Sequence, residues 1–127
     1  MGLLRRDPAG LVLVAAVLTA AALAVPATAR TTAPVARSAR TCSEPAYPGS
    51  GYFTSLTVKG VTCATGRKVT LAHYRCRTRS GPSGRCHQRV LRYTCSERRN
   101  SIPTEIDGRV TCKRPGRTVI YTYQQNV

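Results

Sequence analysis

The sequence predicts an α+β fold: one N-terminal strand, one helix and then a three-strand antiparallel meander, stapled by disulfides. Three observations carry that expectation. Apolar and polar residues alternate in YFTSLTVKG and in later segments, one stretch switches to helical spacing, and all six cysteines lie between Cys42 and Cys112.

Residues 1–29 read as a secretory signal peptide. Arg5 and Arg6 precede the apolar run at 11–25, and Pro26 leads into the small-residue exit Ala27-Thr28-Ala29, with cleavage expected after Ala29. The run is shorter than the roughly 20 residues a membrane-spanning helix needs. DPAG after the arginine pair departs from a twin-arginine signal, so general secretion is the expected route. Cleavage leaves 127 − 29 = 98 residues, a length that suits one monomeric domain, with no second apolar stretch able to span a bilayer. Residues 30–51 are expected to be flexible or irregular. RTTAPVARSART has no apolar period and CSEPAYPGSG is rich in Pro and Gly, although Cys42 must tie this part down.

The domain proper is assigned to 52–127. In YFTSLTVKG, Leu56 and Val58 share one face of a first strand that ends at Gly60. A helix follows over 63–76, with Thr62 as N-cap and Thr65, Val69, Ala72 and Cys76 on one stripe. Gly66 lies on that stripe despite a cost of about 1 kcal/mol relative to Ala, which implies a close approach to a sheet. Arg67, Lys68 and Arg75 then form a basic outer face. Three strands are expected at 87–95, 109–114 and 117–125, the last two joined through Pro115-Gly116. Asp107-Gly108, between Ile106 and Arg109, signals a two-residue hairpin that sets Glu105 opposite Val110, on the face of Cys112.

A chain of this length buries only about two-thirds of the surface its unfolded form exposes, so covalent staples matter. Six cysteines in an exported chain, Cys42, Cys63, Cys76, Cys86, Cys95 and Cys112, read as three disulfides. Cys76 with Cys86 is the favoured pair, closing RTRSGPSGR, while the other pairings stay open. No C-x-x-C pair exists, so neither a metal nor a cofactor is expected.

LTVKGVTCATGRKV, RVLRYTCSERRNSIPTEIDGRVTCKR and VIYTYQQN resemble a group of small secreted actinobacterial proteins without an assigned function. The likeness covers about residues 53–126. It implies a disulfide-stapled α+β domain exported from a Gram-positive cell, and it supplies no catalytic residues.

The full-chain charge of +15, less the +1 of Arg5, Arg6 and Asp7, leaves +14 after cleavage, nearly all of it arginine. Such a chain is drawn to polyanions, whether cell-wall polymer or nucleic acid. The expected function is therefore a secreted basic binding domain contacting an anionic surface or polymer, with Arg67, Lys68, Arg75, Arg89 and Arg92 carrying the contact. A first alternative is an extracellular protease inhibitor that presents the 96–111 loop between Cys95 and Cys112, with Arg98 or Arg99 as the specificity residue and an extracellular protein as partner. A second is a small nuclease using His73 and His87, or Glu105 with one His, as acid and base. Glycoside hydrolysis by Glu105 and Asp107 is opposed by Arg98, Arg99 and Arg109, which favour the charged form of both carboxyls. Neither a nucleophile elbow, a phosphate-binding P-loop nor an H-E-x-x-H motif is present. Tyr93, Tyr121 and Tyr123 are read as core, because the chain has no Trp and one Phe.

Overall fold

A computed structural model describes residues 38–127; the expected leader at 1–29 and residues 30–37 of the segment after it lie outside the described residues. One helix packs on a five-stranded, wholly antiparallel sheet. In chain order the elements are β1 (Arg40–Cys42), β2 (Gly51–Lys59), α1 (Cys63–Thr78), β3 (Thr94–Ile102), β4 (Glu105–Arg114) and β5 (Arg117–Asn126). The spatial order is β1-β2-β5-β4-β3, so the last strand lies in the centre and β3 forms an edge. The α+β class is as read from the sequence, with five strands where four are expected.

The additional strand comes from the segment expected to be irregular. Arg40–Cys42 pairs with β2, Thr41 standing opposite Thr57, and Cys42 bridges to Cys63 at the start of α1. The disulfide holds a three-residue strand that has almost no apolar content of its own.

α1 begins and packs as its sequence dictates. The Thr62 side chain accepts from the Thr65 amide at 3.2 Å, satisfying one of the orphan donors of the first turn. Gly66, Val69, His73, Cys76 and Arg77 form the buried side, against β2 and β5. A Cβ at Gly66 would fall 2.5 Å from Val58 Cγ1, so the glycine is what allows the helix to sit this close. Between the layers lie Phe53, Leu56, Val58, Val69, Tyr93, Val110, Val119, Tyr121 and Tyr123. The three tyrosines read as core are core.

Two corrections concern turns. The strand expected at 87–95 starts only at Thr94, because Val90 and Tyr93 close a two-residue turn on each other, with Val90 N donating to Tyr93 O at 3.1 Å and Tyr93 N to Val90 O at 2.8 Å. Leu91 and Arg92 at its tip have φ of 47° and 69°, so Leu91 projects into solvent instead of joining a strand face. Nor does Asp107-Gly108 turn the chain. Both lie inside β4, and the hairpin reverses at residues 103 and 104, where Ile102 pairs with Glu105. Pro103 supplies the preset φ of a turn position. Pro115-Gly116 does turn β4 into β5, with Gly116 at φ 69° as a Pro-Gly turn needs.

The disulfides are Cys42–Cys63, Cys76–Cys86 and Cys95–Cys112, which accounts for every cysteine. The favoured Cys76–Cys86 pair is formed. Cys95–Cys112 links directly opposed residues of β3 and β4. No helix among the described residues is long and apolar enough to cross a membrane.

Candidate anion-binding faces and the buried network behind them

Strand alternation divides the polar residues of β3 and β4 into two sets. Cys95, Glu97 and Arg99 stand opposite Cys112, Val110 and Gly108 and point toward the helix layer. Thr94, Ser96, Arg98 and Asn100 stand opposite Lys113, Thr111, Arg109 and Asp107 and point to the face that is uncovered among the described residues.

The helix side holds a network of charge. Glu97 accepts from the Tyr123 hydroxyl, lies 3.0 Å from Arg99 Nε and 3.9 Å from Arg85 Nη1. Tyr123 belongs to β5, two strands away, and reaches Glu97 by lying over Gly108 of β4. A side chain at 108 would occupy the space of the Tyr123 ring. This is the reason for a glycine here, where the sequence suggests a turn. Arg77, fully buried, stacks 4.0 Å from the Tyr123 ring centroid and donates to Tyr47 Oη and Gln125 Oε1, both at 2.6 Å. Arg99 also donates to the carbonyls of Ser83 and Gly84, tying the loop after α1 to the sheet edge.

Burial would push the Glu97 carboxyl up, but Arg99 and the Tyr123 hydroxyl outweigh it and hold the pKa below the ordinary carboxylate value. Burial raises the pKa of both Tyr123 and Tyr121 well above the usual tyrosine value, so both hydroxyls are neutral at pH 7. His73 Nδ1 lies 2.6 Å from Tyr121 Oη, and burial drives its pKa down to about 4.

These are residue types of phosphodiester chemistry, and here they are buried. Glu97 and Arg99 side chains are 6% and 5% exposed, and His73 is 1% exposed. Glu97 is engaged with Arg99 and Tyr123, Arg99 also with the loop carbonyls of Ser83 and Gly84, and His73 with Tyr121. His87 is exposed, beside Arg79, Arg85 and the Cys76–Cys86 bridge, so the two histidines are not presented together to solvent. Glu105 points away from Cys112, not with it, because the turn at 103 and 104 inverts the expected register. It is Glu97 that faces Val110 and holds an arginine, the role expected of Glu105. The segment 96–111 is a paired hairpin and not a free loop, with Arg99 turned inward and Arg98 outward.

The outer cations fall into three groups. Arg67, Lys68 and Arg75 lie on the solvent side of α1, Arg67 donating to Ser43 Oγ at 3.3 Å. Arg89 and Arg92 are exposed in and beside the Leu91-Arg92 turn, not on a strand. The third group is the uncovered sheet face, where Arg98 and Arg109 are directly opposed and Lys113 faces Thr94. These last residues, with Ser96 and Thr111, line a shallow trough of about 410 Å3. An adjoining recess of about 460 Å3 includes Thr54, Asn100, Asp107 and Thr122. At its edge a bulge in β2 aims Thr54 Oγ1 and Ser55 Oγ at Thr122 Oγ1, at 2.5 and 2.6 Å.

Sequence reasoning names Arg98 and Arg109 for different roles and passes over Arg77, Glu97 and Lys113. The period-2 pattern of TCSERRNSI, registered on Cys95 opposite Cys112, contains the signal for all but Arg77. No family model, curated protein or solved structure matches the chain. Among the described residues no group of His, Cys, Asp and Glu is arranged to hold a metal ion.

Proposed function

We propose that the protein is a secreted basic binding domain that holds an anionic polymer outside the cell. The observation that carries this reading is uncompensated charge. Residues 38–127 contain 16 Lys and Arg against four Asp and Glu, and the two salt bridges among them both end on Glu97. Fourteen of the 16 cations (16 − 2) thus have no carboxylate within 4.0 Å among the described residues. A surface of one sign attracts polyanions and raises their association rate. Three disulfides with no free thiol, behind an expected leader, support an extracellular site of action.

The test is co-sedimentation of the oxidised protein with insoluble anionic and neutral polymers over a salt series. Binding to the anionic polymer should weaken by orders of magnitude between about 50 and 200 mM salt, as expected for several phosphate contacts. Equal retention on a neutral polymer, or retention indifferent to salt, would refute an electrostatic binding role.

A further inference from the structure

Resting on that reading, we propose that the polymer is seated on the uncovered face of β3 and β4, with a phosphodiester between Arg98 and Arg109, and that it is a hydroxyl-rich polyol phosphate.

The seat itself is an arrangement that folding alone disfavours. Directly opposed like charges destabilise an antiparallel pair by about 0.2–1 kcal/mol. Arg98 and Arg109 are such a pair, and neither side chain makes a hydrogen bond, ion pair or ring contact among the described residues. Lys113, four residues from Arg109, lies about 13 Å further along the strand and is likewise unpaired. Guanidinium forks suit phosphate oxygens. A diester presents its two charged oxygens in divergent directions, so one can face each arginine, whereas a carboxylate directs both of its oxygens toward a single fork.

What surrounds the seat selects the rest of the polymer. Along the strands, the neighbouring cross-strand pairs are Ser96 with Thr111 and Asn100 with Asp107. Across the sheet, Arg109 stands opposite Thr122, which closes the hydroxyl cluster with Thr54 and Ser55. The anion seat is therefore bordered by hydroxyl, amide and carboxylate groups. Nucleic acid without sequence preference is held by basic grooves that also carry aromatic stacking platforms. Here Tyr123 is the aromatic residue that borders the second recess, and at 1% exposure its ring offers no stacking surface, while the exposed Tyr52 lines neither recess. Asp107 is informative for the same reason. A carboxylate beside the seat repels an added phosphate but accepts hydrogen bonds from polyol hydroxyls.

The experiment measures binding of the oxidised protein to poly(glycerol phosphate) and to single-stranded oligothymidylate of matched charge, at one ionic strength. Arg98→Ala with Arg109→Ala should cost about tenfold or more in affinity for poly(glycerol phosphate), and Lys68→Ala with Arg75→Ala, an equal loss of charge on α1, less than about threefold. Asp107→Ala should weaken binding, although general electrostatics predicts that removing a negative charge strengthens it. Equal losses from the two double variants, or tighter binding by Asp107→Ala, would overturn the seat. Tighter binding of oligothymidylate than of poly(glycerol phosphate) would overturn the choice of polymer. Failure of the wild-type protein to bind either polyanion would instead sink the proposed function on which the seat rests. Circular dichroism of each variant, compared with wild type, separates loss of binding from loss of fold.

Discussion

Lowering the pH from 7 to 4.5 should remove a defined part of the folding free energy through one residue, His73. Its imidazole is 1% exposed, faces the neutral Tyr121 hydroxyl and has its pKa driven down to about 4 by burial, against 6.5 in the unfolded chain. The folded state thus refuses a proton that the unfolded state accepts. The stability this contributes is complete above pH 6.5 and is lost as pH falls toward 4. At 1.36 kcal/mol per pH unit the full effect is on the order of 3 kcal/mol, about 2 of it gone by pH 4.5. Glu97 does not obscure this window, because its pKa is held below the ordinary carboxylate value, so its own contribution is lost at lower pH. The assay is urea unfolding of the oxidised protein at half-unit pH steps, followed by circular dichroism. With an m-value of about 1–2 kcal/mol/M, the midpoint should fall by roughly 1–2 M from pH 7 to 4.5. His73→Gln, which cannot titrate, should start less stable and stay nearly flat from pH 7 to 4.5. A variant that falls as steeply as wild type would refute the assignment, as would a wild-type loss under about 1 kcal/mol.

Other substitutions test individual features. Gly108→Ala places a methyl in the space of the Tyr123 ring and should destabilise by about 1–3 kcal/mol in chemical denaturation. Leu91→Asn with Arg92→Gly should raise stability by about 1–2 kcal/mol, because both positions have left-handed φ that costs other residues energy. By differential scanning calorimetry this is a Tm gain of at least about 4 °C for a domain of this size. Arg98→Thr should gain about 0.2–1 kcal/mol of stability by relieving the pair with Arg109, while binding the anionic polymer less well.

Much of the fold is legible in the chain, and the failures have physical causes. The α1 start at Thr62, the tight packing at Gly66, the Pro115-Gly116 turn and the Cys76–Cys86 bridge are local or nearly so, and each reads directly. Asp107-Gly108 misleads because a glycine signals a turn only when nothing else needs its missing side chain. Here Tyr123, two strands away in space, needs it. At 87–95 the apolar alternation of Leu91, Tyr93 and Cys95 looks like a strand, yet Val90 and Tyr93 are the buried pair and the turn between them is strained. β1 escapes notice because its strand character is conferred by the Cys42–Cys63 bond and by β2. The errors at 107 and at 91 together displace β3 by about one element length. Once Cys95 is set opposite Cys112, the pairing of Arg98 with Arg109 follows by counting.

The Cys95–Cys112 bond has a bearing on the arginine pair that its place in the core does not suggest. Repulsion between Arg98 and Arg109 acts across the seam between β3 and β4 and tends to open it on the outer face. On the inner face the same seam is crossed by this covalent bond three residues away, and it is crossed again where Tyr123 reaches over β4 to Glu97. A sheet edge held by hydrogen bonds alone could relieve the repulsion by fraying, and a ligand would then have to reassemble the seat before occupying it. Clamped from behind, the two cations stay at their spacing in the empty protein, so an arriving anion meets a site whose ordering cost was met during oxidative folding.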